Sequence, residues 1–429
     1  MSVAAHAGLA PTRHVLDNGC VVIAKGTHAL PAVTIQIAVN AGNRFDPDDR
    51  LGLAFFLSRM LDRGTVSRSA DDIAEALDSR GVSLTTSVTR HQFVVSCTCL
   101  AEDFDAILDL MADLVLHPTC PVDEIEKKRL EILTQLQQDA DNPAIVAVER
   151  LMERLYPNGH PYGRRARGVS ETVNLIDRAS LCAFHRTRFA PSMTTIVIVG
   201  DLEPATAIAA AKRRLGAWDV PANENVRLVA PPPRVTREVA TVPMMNKAQA
   251  DIAYGFTAIR RDDPMHDACW VMNNVLGQYA LGGRLGDSIR ERQGMAYYVF
   301  STLDANVIEG PLTVRAGVDP NNVDRAIRSI DLELVRATSD GITETEVAES
   351  KQYLIGSLPR TLETNGGIAG FLQAAEFFGL GTDYDVRLPA LLGAVTADQV
   401  NTAARRLLDP NRAAVVIAGP YDGKGPQQQ

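Results

Sequence analysis

In I-R-E-R-Q-G-M-A-Y an arginine, Arg290, and a tyrosine, Tyr297, lie seven residues apart, and both are side chains that can donate hydrogen bonds. A guanidinium is a fixed, charged donor fork and a phenol is a short, directed donor. Both residues also have plainer readings. An arginine late in a helix favours the negative end of the helix, and a tyrosine opening a strand is common in sheets. The eight histidines contain no H-x-x-x-H pair, so they offer no zinc-binding helix. His91 reads as a strand-edge residue, His117 precedes a proline at a helix end, His160 lies in the turn His-Pro-Tyr-Gly, and His185 sits on a helix face. Cys97 and Cys99, two apart in HQFVVSCTC, share one strand face and read as buried reduced thiols, since no C-x-x-C spacing supports a metal pair. No G-x-S-x-G, Walker loop or dinucleotide fingerprint occurs. The glycine-rich GGRLG at 282–286 lacks the strand-to-helix context of a phosphate site.

The elements that carry these residues belong to a soluble globular protein. The chain has 429 residues, 46% hydrophobic and 22% charged, enough for two or more domains. Its net charge of −9 comes without a basic run, which argues against nucleic-acid binding. No window approaches the ~20 apolar residues of a membrane span. The opening MSVAAHAGLAPTRH has no basic segment followed by an apolar one, so no signal peptide is read there. With the scattered thiols, this points to the cytoplasm.

Strands are expected at Val21–Lys25, Val33–Val39, Ser83–Val88, Gln92–Cys99 and Thr194–Val199. Helices are expected at Ala70–Ser79 (N-cap Ser69), Phe104–Leu116, Asp123–Gln138, Ile145–Leu155 after a break at Pro143, Leu175–Arg188 and Pro204–Leu215. The same order then returns. Strands fall at Ala250–Phe256, Ala296–Leu303, Leu312–Ala316 and Ala413–Ala418. Helices fall at His266–Leu276, Leu285–Arg292, Val323–Ala337, Glu344–Leu358, Gly367–Phe378 and Asp398–Leu408. Pro191 and Pro410 are 219 apart, as are Gly200 and Gly419; Glu124 and Glu346 are 222 apart, as are Arg129 and Lys351. Near-constant offsets across separate elements indicate two copies of one unit of about two hundred residues. Sheet pairs mixed with runs of helices make each half α+β. The stretch 219–234, with Pro221 and a triple proline at 231–233, reads as a linker between residues 1–218 and 235–429.

The most informative helix is Gly52–Thr65, GLAFFLSRMLDRGT. Leu53, Phe56, Leu57, Met60 and Leu61 recur at helical spacing, Gly64 is a stop signal, and the run Asp46–Arg50 reads as a solvated loop with a capping role. Its frame, G-L-A-x-x-L-x-x-M-L-x-x-G-T, resembles the active-site helix of the pitrilysin and mitochondrial processing peptidase family. These are zinc peptidases with an inverted H-x-x-E-H motif. Further resemblance lies in Asp141-Asn142-Pro143, HPYG at 160–163, FAPSMTTIVIVGDL at 189–202 and LGGRLGDSIRERQGMAYYVFS at 281–301, so it covers nearly the whole chain.

The resemblance implies two α+β halves forming half of a clamshell chamber. It places the metal-motif positions on Phe55, Ser58 and Arg59, the third-ligand position on Gln135 and a supporting glutamate position on Lys128. Phenylalanine cannot ligate a metal, serine cannot replace the carboxylate base, arginine repels a cation, and an amide is a poor ligand. No cofactor is therefore expected on this chain, and Phe55 and Phe56 are expected to fill the vacated space. The family's arginine–tyrosine pair, which binds the substrate backbone and helps stabilise the oxyanion, falls on Arg290 and Tyr297. The division of labour implied is that of a heterodimeric peptidase. One chain carries H-x-x-E-H and the zinc, and this one supplies Arg290 and Tyr297 against an extended peptide, with no peptidase activity alone. An isolated chain has a homodimer open to it. The alternative is a non-enzymatic scaffold resembling the family's core proteins of respiratory complexes.

Overall fold

Long apolar alternating runs become two sheets. The computed structural model describes residues 8–223, 228–278 and 283–423. The first sheet comprises β1 (Thr12–Val15), β2 (Val21–Gly26), β3 (Ala32–Val39), β4 (Leu84–Val88), β5 (Phe93–Leu100) and β6 (Thr194–Gly200), in the order β1-β2-β6-β3-β5-β4. The second comprises β7 (Glu238–Pro243), β8 (Ala250–Thr257), β9 (Ala296–Leu303), β10 (Pro311–Val318) and β11 (Ala414–Gly419), in the order β7-β11-β8-β10-β9. Leaving out β1, the two orders match strand for strand. The directions match as well: β2 is parallel to β6 and β7 to β11, and the remaining neighbours are antiparallel. The duplication expected from the offsets is thus present in the topology.

The repeated glycines do repeated jobs. Gly200 (φ +151°) and Gly419 (φ +137°) end the paired strands β6 and β11 in backbone that disfavours a side chain. A Cβ at Gly200 would lie 2.2 Å from the Ala32 carbonyl oxygen, and one at Gly419 would lie 2.6 Å from the Ala250 Cα. The offset glutamates differ in partner: Glu124 accepts from Lys127 at 2.6 Å, whereas Glu346, 222 residues later, takes a bidentate bond from Arg284 at 2.6 and 2.8 Å.

The described residues pack as two compact units, and these do not follow the cut at 219–234. One is drawn from Met1–Leu136, Arg164–Val226 and Pro359–Val386; the other from Gln137–Gly163, Arg227–Leu358 and Arg387–Gln429. The helix Pro143–Leu155 therefore belongs with the second sheet, where it packs on β8 and β11. Its counterpart 222 residues on, Asn365–Phe377, packs on β6 and β3 of the first sheet. Each placement is specific. Leu151 and Leu155 seat against Gly255, where a Cβ would come within 2.9 Å of Leu151, and the Tyr156 hydroxyl donates to the Glu309 carbonyl at 2.9 Å. In the first unit the Asn365 amide donates to the Ala32 carbonyl at 2.9 Å and Arg13 grips Glu376 at 2.8 and 2.9 Å. The described residues of 219–234 form no helix or strand, and residues 224–227 lie outside the described residues.

Several boundaries differ from the expectations. The active-site-like helix is short, Leu53–Ser58, followed by a 3-10 turn at Leu61–Arg63 and Gly64 at φ +140°. The Ser58 hydroxyl donates back to the Phe55 carbonyl at 2.6 Å, a bond that competes with helix propagation. Asp46 is not solvated: it is 3% exposed and accepts from the Gly52 and Ala54 amides at 2.8 and 2.9 Å, capping that helix. Pro143 is the first residue of its helix rather than a break before it, where its missing N–H costs nothing. The helix expected from Leu175 begins at Arg178, because Asp177 and Ser180 form a capping box.

The Arg284–Glu346 pair has a measurable signature. Partial burial pushes the Glu346 carboxyl up, but the Arg284 guanidinium and the Thr343 amide and hydroxyl outweigh it and bring it down to about 2. A depressed carboxyl stabilises the fold above its unfolded pKa, and that contribution is lost as pH falls through the folded value. Glu346→Gln should cost ~1 kcal/mol near neutral pH after allowance for solvent screening. In urea melts at several pH values, the gap between wild type and variant should close between about pH 4.5 and about pH 2.

Candidate functional site

Arg290 and Tyr297 lie on one helix–turn–strand element of the second unit. Arg290 is in the π-helical segment Gly286–Arg292, whose end is closed by Gly294 at φ +62° donating to the Arg290 carbonyl at 3.0 Å. Met295 donates to the Ile289 carbonyl at 3.1 Å, and Met295 and Ala296 bury at 4% and 8% exposure, which anchors the turn. The Arg290 side chain is 42% exposed, with Glu291 near it at 3.8 Å. Tyr297 is 67% exposed. Of the glycine-rich 282–286 stretch, Gly282 lies outside the described residues.

Tyr297 owes its exposure to a fault in the sheet. β9 is the last strand of the second sheet and pairs with β10 from Leu303↔Leu312 to Tyr298↔Gly317, after which Val318 pairs with Ala296. Tyr297 is the extra, unpaired residue of a β-bulge. Side chains alternate along a strand, so Tyr297 shares parity with Val299 and Ser301, which are 7% and 1% exposed. The bulge breaks that parity, sends Ala296 inward and turns Tyr297 to solvent. The corresponding strand of the first half, β4, pairs with β5 in unbroken register. The sequence reading located Tyr297 and missed the bulge; the signal was present as a tyrosine at core parity beside a second tyrosine.

In the first unit, Phe55 is half-buried on Leu53–Ser58, with the Arg167 guanidinium 5.7 Å from its ring, and Phe56 is wholly buried. Ser58 is 3% exposed and its hydroxyl is committed to the helix backbone. Arg59 is the exposed C-cap. Gln135 is half-buried on the helix Val122–Ala140, where Lys128 pairs with Glu131 at 2.7 Å. A ring, a back-bonded hydroxyl, a guanidinium and an amide are not a donor set for zinc. Among the described residues no group of three or more His, Cys, Asp or Glu side chains could hold a metal ion.

Three of the described histidines, His185, His160 and His91, have structural partners. His185 hydrogen-bonds the Val115 carbonyl at 2.7 Å and burial lowers its pKa. His160 contacts the Val229 carbonyl at 3.0 Å, and His91, 5% exposed rather than at an open strand edge, packs on Phe377 at 5.7 Å. Cys97 and Cys99 are buried on one face of β5 and all six cysteines are free. Among the described residues no helix is long and apolar enough to cross a membrane.

The site thus sits in a duplicated α+β fold, with Arg290 and Tyr297 on a helix–turn–strand element of its second half. Residues 21–166 match "Insulinase (Peptidase family M16)" and residues 175–354 match "Peptidase M16 inactive domain". The chain belongs to the M16 peptidase family. It is 28% identical over 418 residues to an uncharacterized zinc protease of Mycobacterium leprae, covering 96% of this chain and 92% of that one. It is 22% identical over 419 residues to the mitochondrial-processing peptidase subunit beta of Bos taurus, covering 95% and 84%. The crystal structure of a peptidase M16 inactive domain from Pseudomonas fluorescens superposes with a TM-score of 0.90 at 25% identity, covering 98% of this chain and 100% of that one.

Proposed function

We propose that this chain is the zinc-free subunit of a heterodimeric M16 peptidase. It supplies Arg290 and Tyr297 to the active site of an H-x-x-E-H-bearing partner that cleaves extended peptides, and it hydrolyses nothing alone. The observation that carries this reading is the asymmetry between the halves. Phe55, Ser58, Arg59 and Gln135 stand at the metal positions, while Arg290 and Tyr297 are retained and solvent-facing, the tyrosine turned outward by a bulge its counterpart strand lacks. An exposed guanidinium and phenol, fixed by a glycine-closed helix end and a bulged strand, are preorganised donors for a backbone carbonyl or an oxyanion. The bovine relative is by name one subunit of a peptidase, which is in keeping with a divided enzyme. Working site: the cytoplasm.

Native mass spectrometry of the tagged chain purified from its own cells tests this. A mass of this chain, one H-x-x-E-H partner and one zinc is expected; a zinc-free homodimer with no partner would favour the scaffold reading. A chelator should abolish turnover of the complex through the partner. It should leave the melting temperature of the isolated chain unchanged in differential scanning fluorimetry, and a drop there would mean that this chain holds a metal of its own.

A further inference from the structure

The first unit carries a groove that no step of the proposed function uses. Its volume of about 430 Å³ is within the range of small-molecule sites. One wall is a face of the helix Arg178–Arg188, and the other is the segment from Phe45 to Leu53. Ala183 and Phe184 on the helix, with Phe45 and Leu53 opposite, make the lining largely apolar. The two ends differ in charge. At one, Arg50 pairs with Asp49 and stands beside Asp177, so its charge is balanced. At the other, Arg188 has neither an ion pair nor a hydrogen bond among the described residues. Its guanidinium lies 4.4 Å from the centre of the Phe45 ring, and that of Arg44 lies 4.2 Å from the same centre.

An arginine in the last turn complements the negative end of its helix, a role that asks only for a solvated charge. Arg188 is half-buried instead, and burial lowers its pKa. A desolvated cation that shares its ring with a second cation and has no carboxylate partner among the described residues is a receptor for an anion. The apolar lining decides what that anion is attached to. The Ser180 hydroxyl donates to the Asp177 carbonyl at 2.8 Å and the Thr187 hydroxyl to the Ala183 carbonyl at 2.7 Å, so both are committed to their own helix. An extended peptide would leave amides unpartnered along this wall, whereas an alkyl chain gains from burial there. From Ser180 to Thr187 the wall runs ~10 Å at the helical rise per residue, a reach that a medium-length alkyl chain spans. We infer that this groove binds an aliphatic carboxylate, its head on Arg188 and its chain along Ala183 and Phe184.

Isothermal titration of the full-length chain with octanoate, octanol, acetate and inorganic phosphate tests this. Octanoate should bind at one site. Octanol, which lacks the charge, and acetate, which lacks the chain, should each bind at least about tenfold more weakly, the scale of losing a hydrogen bond to a charged group or several buried methylenes. Arg188→Gln should weaken octanoate by about tenfold or more and leave octanol unchanged. Ala183→Leu, which narrows the groove, should weaken octanoate and octanol alike. Circular dichroism should report both variants folded, and the ligand series on the wild-type chain decides the matter if either is not. No binding of octanoate, octanol binding as tightly as octanoate, or full affinity for octanoate in Arg188→Gln would each overturn the inference. Phosphate binding as tightly as octanoate would show a site that reads the charge alone and would overturn it too, as would tighter binding of a peptide ending in apolar residues. None of these outcomes depends on the roles of Arg290 and Tyr297.

Discussion

Replacing Arg290 by alanine should lower turnover of the assembled complex by about 10²–10³-fold, the usual cost of losing one preorganised donor to a developing oxyanion. The substitution should not unfold the chain. Arg290 is 42% exposed, its one ion-pair contact among the described residues is the 3.8 Å approach of Glu291, and the helix end it sits on is closed by the Gly294 amide rather than by its side chain. Nor should it remove the zinc, which the proposal assigns to the partner. Arg290→Lys should recover only part of the loss, since an ammonium keeps the charge but not the planar fork. Steady-state turnover and native mass spectrometry on the same preparations separate the two effects. Intact assembly with collapsed turnover is expected, and wild-type turnover in Arg290→Ala would remove this residue from the site.

The second large effect concerns the helix Pro143–Leu155. Leu151 is fully buried between that helix and Gly255 of β8, so Leu151→Ala should cost about 2–5 kcal/mol through lost transfer energy and the cavity left behind. Its location is the informative part. Leu151 belongs to the first half by sequence, yet it shares one buried core with Ala253, Ala414, Val416 and Ala418 of the second sheet. Hydrogen exchange should therefore quicken in β8 and β11 while β3 and β6 keep their protection. Quickening confined to β3 and β6 would contradict the assignment of this helix.

Much of this was legible in the sequence, for reasons that differ by element. β3, β6 and β11 are nearly continuous apolar runs, and helices such as Phe104–Leu116 carry unbroken periodicity, so their limits were close to those observed. β1 escaped because all four of its residues are exposed and carry no pattern. β7 escaped because its pairing partner β11 comes from the far end of the chain, and Tyr384–Ala394 escaped because Pro389 inside it mimics a break. The helix Ser170–Asn174 is a single short turn. At the site, the frame around Arg290 and Tyr297 identified both residues, but a strand count through Val299 and Ser301 assigns Tyr297 to the core. Only the register of the neighbouring strand reveals the bulge. Periodicity likewise showed that Pro143–Leu155 has an apolar face without showing which sheet receives it.

That helix exchange has a consequence for how the protein is made. A ribosome delivers the first half at roughly 5–20 residues per second, and when the 219–234 stretch emerges every strand of the first sheet has already been synthesised. The helix that covers β3 and β6 has not, for Asn365–Phe377 comes near the end of the message. Meanwhile Pro143–Leu155 has been made and has no sheet to bury its apolar face. Until the last quarter of the chain appears, the nascent protein carries one uncovered sheet and one unhoused helix, the surfaces that chaperones bind. A protease nick within 219–234 would not release two domains; each fragment would carry a helix that belongs to the other's sheet.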